Sequence, residues 1–187
     1  MQRNGTDVKI FLCGIKHAGK TVIGKALSQK CGIPFCDSDE LLCRLHEVRT
    51  GKLCTPREIM SEHGSDYFRQ IEADALADSI PSEGIIALGG GSLSNPCLSG
   101  EVLRELHPLC WLDVPDEVAY FRIVCEGLPL FLIHETDPFQ TFCRINAERC
   151  RIFRQNADFA LSLSGEETPD CAADMLLNLL NHKGFTK

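Results

Sequence analysis

The most informative segment of this chain is Gly14-Ile15-Lys16-His17-Ala18-Gly19-Lys20-Thr21. It follows an apolar run over residues 8–13 and precedes a helix-compatible segment over 20–30. A G-x-x-x-x-G-K-T sequence between a strand and a helix is typical of a loop whose backbone N–H groups hold phosphate at the positive end of the helix. The stretch therefore predicts a nucleoside triphosphate site.

The side chains of this phosphate loop have separate predicted roles. Lys20 would neutralise the β- and γ-phosphates, and the Thr21 hydroxyl would take one coordination position on Mg²⁺. His17 lies where any left-handed backbone turn costs a non-glycine residue steric energy. The alternative is a plain glycine-containing turn, which the order of strand, motif and helix disfavours.

Composition limits what else the chain can be. Its 187 residues suit one α/β domain over 1–187, and the net charge of −7 provides no basic surface for nucleic acid or an anionic membrane. Residues 1–7 are short and polar, and no apolar stretch approaches the roughly 18 residues that a membrane span needs. We therefore expect a cytoplasmic protein with neither nucleic-acid nor membrane partners.

The eleven cysteines include no C-x-x-C pair, and their number is odd. This pattern favours free, mostly buried thiols over disulfides or a metal site. The pairs Cys36/Cys43 and Cys143/Cys150 lack the second pair or the histidines that a zinc site requires. Cysteines within apolar segments are Cys13, Cys36, Cys110 and Cys125, and candidates for surface thiols are Cys54 and Cys97.

Strand and helix signals alternate along the chain. Helix starts are predicted at Thr55-Pro56 and Asp137-Pro138, and the first helix should stop at Gly32. This alternation predicts a mainly parallel sheet with helices on both faces and ligands beyond the carboxyl ends of the strands. Apolar runs of strand length occupy 8–13, 33–36, 85–88, 109–114 and 159–163.

Two of the predicted strands end in residues suited to this chemistry. Asp37-Ser38-Asp39 offers one carboxylate for Mg²⁺ and a second to accept a proton or hydrogen bond from a substrate hydroxyl. The alternative for Asp39 is the N-cap of a helix that begins at Glu40. Gly89-Gly90-Gly91 would let a ligand approach the backbone closely, although a flexible turn is the simpler interpretation.

A basic residue suited to a carboxylate ligand lies between these segments. The Arg69 guanidinium could bind a carboxylate with two parallel hydrogen bonds. Its alternative role is a salt bridge to Glu72, three residues further along the same helical face.

Taken in order, these motifs resemble the shikimate kinase family from Val8 to the C-terminal helix. The residues that carry the resemblance are the phosphate loop, Asp37-Ser38-Asp39, Phe68-Arg69-x-x-Glu72, Leu88-Gly89-Gly90-Gly91 and Glu148-Arg149. The resemblance implies ATP-dependent phosphorylation of the 3-hydroxyl of shikimate, a step in aromatic amino-acid biosynthesis. It also implies a three-layer α/β/α fold with a five-stranded parallel sheet, as in nucleoside monophosphate kinases. A substrate-binding helical region would span about 38–75, and a lid about 123–137.

Roles follow from the same resemblance. Catalysis would fall to Lys20 and Asp39, and Thr21 and Asp37 would hold Mg²⁺, the latter through water. The substrate carboxylate would lie between Arg69 and Arg149, with Gly89, Gly90 and Gly91 lining the pocket. ATP would contact the phosphate loop and Arg122 beside the adenine, although a lone helical arginine is often solvated or salt-bridged. We expect a monomer.

The chain departs from the family pattern in its lid. Leu128 stands where the family has arginine, and no Lys or Arg lies between Glu126 and Thr136. A cation at the transferring phosphoryl group accelerates such reactions by several powers of ten. Candidate replacements are Lys16, Arg151 and Arg154. Smaller departures are His17 in place of glycine and Phe153 in place of an aromatic with a hydroxyl.

Three functions fit this sequence. The first is an active shikimate kinase. The second is a kinase of another small hydroxy acid such as gluconate, which the presence of both Arg69 and Arg149 disfavours. The third is a non-catalytic nucleotide-binding module, which Leu128 favours and the intact phosphate loop disfavours.

Overall fold

A five-stranded parallel sheet forms the centre of the computed structural model, which describes residues 8–129 and 132–185. All five predicted strands are present, in the order β2-β3-β1-β4-β5. The strands are β1 (Lys9–Cys13), β2 (Phe35–Asp37), β3 (Gly84–Ala87), β4 (Leu109–Asp113) and β5 (Phe159–Ser162). The apolar runs of β1, β3 and β4 are nearly continuously buried because helices cover both faces of the sheet, so that Ile10, Leu12 and Ile85 are fully buried.

Seven α-helices of the described residues surround this sheet. The first and last pack against each other, as do the fifth and sixth. The predicted α/β architecture is therefore confirmed. The helices are α1 (Lys20–Cys31), α2 (Ser38–Thr50), α3 (Pro56–Asp78), α4 (Gly100–Glu105), α5 (Asp116–Glu126), α6 (Pro138–Asn156) and α7 (Pro169–Lys183). A short 3₁₀ helix spans Ser92–Ser94.

Several helices begin and end at the capping residues that the sequence predicts. Thr55 and Glu58 form a reciprocal capping box at the start of α3, and Asp137 caps α6. Gly32 ends α1 with a left-handed φ of 68°. Gly64, with φ 81° and ψ 175°, kinks α3, which no local sequence signal predicted.

The α2–α3 pair has a small core of its own. Buried apolar residues of the two helices and of the segment between them form a cluster separate from the main core beside the sheet. This gives the predicted substrate-binding region an internal core on the carboxyl side of β2. Its members are Leu41, Leu42, Cys54, Ile59, Ile71 and Ala75.

The cysteine predictions hold only in part. All eleven thiols are free, and Cys13 and Cys110 are buried. Cys36 is half-buried, and Cys125 is exposed because it lies on the outer side of α5, so for Cys125 the prediction was wrong. Of the two surface candidates, Cys97 is exposed, whereas Cys54 is buried in the α2–α3 core.

No helix of the described residues has the length and apolar character to cross a membrane.

Candidate active site

In the phosphate loop, the side chain of Lys20 bonds to the backbone of the loop itself. Lys20 Nζ donates to the carbonyl oxygens of Gly14 and Ile15, at 2.9 and 3.0 Å. Burial lowers the pKa of Lys20 to about 8, although the negative charge of Asp39 opposes the shift. The ammonium therefore lies where an added anion would stabilise its charged form.

His17 adopts the left-handed conformation with φ 62°, the strained geometry that its place in the loop made possible. Its backbone oxygen accepts from Arg122 Nη1 at 3.0 Å, and its ring Nδ1 lies 3.6 Å from Glu126 Oε1. Burial lowers the pKa of the imidazole, so this contact to Glu126 is weak at neutral pH. The loop is thus joined to the end of α5.

Arg122 is half-buried and forms no salt bridge with the residues that the structure describes. Besides His17, it donates through Nη2 to the Gly165 oxygen at 3.2 Å, and it lines the nucleotide-side cavity. The sequence suggested neither partner, because they lie 105 and 43 residues away from Arg122. The side chain connects the phosphate loop to the segment that follows β5.

Thr21 and Asp37 meet through their side chains at the carboxyl edge of the sheet. Thr21 Oγ1 donates to Asp37 Oδ2 at 2.9 Å, and Asp37 Oδ1 accepts from the Asp39 backbone N–H at 3.1 Å. Asp37, and not Asp39, is therefore the N-cap of the helix, which begins at Ser38 instead of Glu40. A hydroxyl and a carboxylate suit Mg²⁺, which takes few protein oxygens and keeps waters and phosphate oxygens as its other ligands.

Within the described residues, no group of three or more His, Cys, Asp and Glu side chains could form a complete metal site.

Asp39 lies beside the glycine loop that follows β3. Burial raises the pKa of its carboxyl to about 6, and the negative charges of Asp37 and Glu72 add to the shift. A Cβ atom on Gly89 would lie 3.2 Å from Asp39 Oδ1, and one on Gly90 would lie 3.2 Å from the backbone nitrogen of Lys16. Side chains at these two positions would crowd the carboxylate and the phosphate loop.

Arg69 and Arg149 are brought together from α3 and α6. Burial lowers the pKa of Arg149, and the positive charge of Arg69 contributes. Neither side chain makes a hydrogen bond or ion pair with any part of the chain that the structure describes. The negative charge of Glu72 acts on Arg149 without a direct ion pair, so both guanidinium groups are suited to bind an anionic ligand.

The Arg69–Glu72 salt bridge, the alternative role for Arg69, is absent from the described residues. Glu72 is buried, and its carboxylate instead accepts from Ser92 Oγ and from Asn95 Nδ2, both at 2.8 Å. Glu72 thereby fixes the segment that follows the glycine loop and leaves Arg69 available.

Glu72→Ala is expected to lower the free energy of unfolding by about 3 kcal/mol, because the Ser92 hydroxyl and one of the two amide hydrogens of Asn95 lose their buried acceptor. Thermal unfolding should then shift down by roughly 6–12 °C for a chain of this size. Asp66→Ala, an exposed change on the same helix, serves as the control and should leave the midpoint almost unchanged. Equal midpoints for the two variants would contradict a structural role for Glu72.

Two cavities of about 660 and 730 Å³ lie end to end over this edge of the sheet. The first cavity is lined by phosphate-loop residues, including Thr21, and by Asp37 and Arg122. The second contains Arg69, Phe68 and Leu128, together with Arg57, which the sequence did not single out. Their junction is lined by the residues common to both: Lys16, His17, Asp39, Gly89, Gly90, Gly91, Glu126 and Arg149.

The predicted lid, 123–137, consists of the last turn of α5 and the connection to α6. Gly127, Leu128 and Pro129 line the second cavity, whereas Leu130 and Phe131 lie outside the described residues. Phe153 is buried in the core beside Trp111 and contributes to neither cavity, so its missing hydroxyl does not affect the site.

A phosphate loop, an adjoining acceptor cavity and a carboxylate at their junction define a P-loop kinase of a small molecule. The sequence model of the shikimate kinase family matches residues 16–181. A shikimate kinase of Corynebacterium glutamicum is 30% identical over 174 residues, which cover 91% of this chain and 95% of that protein. The chain therefore belongs to the shikimate kinase family and is an ATP-dependent phosphotransferase.

Solved structures agree with this assignment. Shikimate kinase from Acinetobacter baumannii in complex with shikimate matches with a TM-score of 0.78 at 25% identity, covering 94% of this chain and 93% of that one. Shikimate kinase from Bacteroides thetaiotaomicron matches with a TM-score of 0.73 at 25% identity, covering 93% and 98% of the two chains.

Proposed function

We propose that this protein transfers the γ-phosphate of ATP to the 3-hydroxyl of shikimate, and so serves aromatic amino-acid biosynthesis. The observation that carries the proposal is the second cavity, in which the free guanidinium groups of Arg69 and Arg149 lie near Asp39. A ring with one carboxylate and several hydroxyls offers complementary groups to both features. Free thiols favour a reducing cytoplasm, and we expect the enzyme to act there as a monomer.

The nucleotide side would be held by residues 14–21 and Arg122. Thr21 and Asp37 would hold Mg²⁺, which when bound would offset the negative charge of the phosphates. Lys20 would exchange its carbonyl contacts for the β- and γ-phosphates. The helical region 38–75 and the lid 123–137 would enclose the acceptor and exclude water.

Transfer requires one bond to form and one to break. The 3-hydroxyl oxygen would attack the γ-phosphorus, and the bond from that phosphorus to the oxygen of the β-phosphate would break to release ADP. The hydroxyl proton would pass to the Asp39 carboxylate, which must be ionised to accept it. Arg69 and Arg149 would orient the ring, since positioning contributes more to this chemistry than covalent catalysis.

A coupled assay of ADP release, run with ATP and Mg²⁺, tests the proposal. We expect release that depends on shikimate, with gluconate and acceptor-free mixtures at background. Arg69→Ala should raise KM for shikimate much more than KM for ATP, because its guanidinium lines only the acceptor cavity. Release with gluconate alone would assign a different acceptor, and ATP binding without release for any acceptor would indicate a binding module.

A further inference from the structure

The junction of the two cavities is where the transferring phosphoryl group must lie during the reaction. Residues that line both cavities there include two cations, Lys16 and Arg149. Arg149 is half-buried beside Arg69, in the pair suited to an anionic substrate group. Lys16, one of the candidate replacements for the lid cation, is therefore the junction cation that is not part of this pair.

The backbone of Lys16 packs against the glycine loop, whereas its side-chain ammonium is unpaired within the described residues. A Cβ atom placed on Gly90 would lie 3.2 Å from the backbone nitrogen of Lys16. The phosphate loop and the glycine loop are therefore in close contact at this point. The side chain of Lys16 is exposed, and its ammonium makes no hydrogen bond or ion pair with the described residues. Its positive charge nevertheless acts on both Asp39 and His17, where it favours a lower pKa.

The other cationic side chains near the junction either bond to other groups or do not line both cavities. Arg122 donates to backbone oxygens, and Arg57 lines only the acceptor cavity. Arg151 donates to Glu148 at 2.7 Å, and Arg154 lies over the Trp111 ring at 5.7 Å. Neither of these last two lines a cavity, and the connection from Gly127 to Asp137 contains no Lys or Arg.

We propose that Lys16 is a catalytic residue whose ammonium contacts the γ-phosphoryl group during transfer. The charge that accelerates the reaction would then come from the phosphate loop instead of the lid. The four-carbon stem and rotatable ammonium of lysine allow it to reach from the loop to the junction. This inference rests on the proposed kinase activity, and it assigns within that activity a cation that the lid lacks.

Lys16→Ala is the direct test, measured as kcat and KM in the ADP-release assay. We expect kcat to fall about 100-fold or more, with KM for ATP and shikimate changed less than about 5-fold, because the contact strengthens in the transition state. Arg151→Ala and Arg154→Ala are the matched controls, since each removes a cation outside both cavities. Each control should retain kcat within about 3-fold of the wild type.

A second variant separates loss of charge from damage to the loop. Leu128→Arg, introduced into Lys16→Ala, places a guanidinium in the lid and should recover at least about 10-fold of the lost kcat. The same change in the wild type should gain less, because Lys16 already supplies the charge. Thermal unfolding of every variant provides the check on folding.

Three outcomes would overturn the inference: a Lys16→Ala kcat within about 3-fold of wild type, a failure of Leu128→Arg to recover that loss, or an equal loss in Arg151→Ala or Arg154→Ala. Absence of shikimate-dependent release by the wild type is a different result, since it would contradict the proposed function itself.

Discussion

Lys20→Ala lowers kcat/KM for ATP by about 1,000-fold or more if Lys20 binds the β- and γ-phosphates. Its ammonium is already placed over the phosphate loop, where it donates to two backbone oxygens at 2.9 and 3.0 Å. Burial holds its pKa near 8, so the positive charge is poorly compensated in the free protein. Phosphate oxygens would supply that compensation, and removal of the ammonium removes it from the transition state as well.

The measurement is the ADP-release assay together with titration of ATP binding. Lys25→Ala is the control, since Lys25 lies on the same helix, is exposed and rests over the Phe35 ring outside both cavities. We expect the control to keep activity within about 3-fold of the wild type. Equal activities for Lys20→Ala and the wild type would remove Lys20 from the mechanism.

Much of the fold could be predicted because its signals are local. Continuous apolar runs such as 85–88 mark strands buried on both faces, and Gly32 and Thr55 mark helix ends by their own backbone chemistry. The kink at Gly64 had no such signal, since an isolated glycine within a helical pattern is compatible with a straight helix. The exposed Cys125 shows that an apolar segment does not reveal which side of a helix faces solvent.

The contacts of the candidate site also fall into two groups, those with a local sequence signal and those without one. Residues at strand ends, such as Asp39 and Gly89, could be predicted to meet because parallel strands share one carboxyl edge. The acceptors of Arg122 could not, since contacts across 43 and 105 residues have no local pattern. The partners of Glu72 had no local signal: helical spacing offered Arg69 as an alternative, whereas the buried carboxylate accepts from the segment after the glycine loop.

Asp39→Asn is expected to lower kcat about 1,000-fold, because the amide has nearly the same shape and cannot accept the hydroxyl proton. Its folded state should be at least as stable as the wild type at pH 7. Folding raises the pKa of Asp39 to about 6. Ionisation of this carboxyl therefore lowers the free energy of unfolding above pH 6. It has no effect below the ordinary carboxyl pKa, because the group is then protonated in both the folded and the unfolded state. Asp66→Asn, an exposed change on α3, is the control and should retain full activity.

The pH profile of kcat/KM identifies the proton acceptor. With the pKa of Asp39 at about 6 in the free enzyme, activity should be present above that pH and should fall about tenfold per unit below it. The residual activity of Asp39→Asn should lack this acid limb, since no carboxylate remains at that position to be protonated. An acid limb of the same midpoint in Asp39→Asn would assign the proton acceptor to another group and leave Asp39 a role in orienting the acceptor alone.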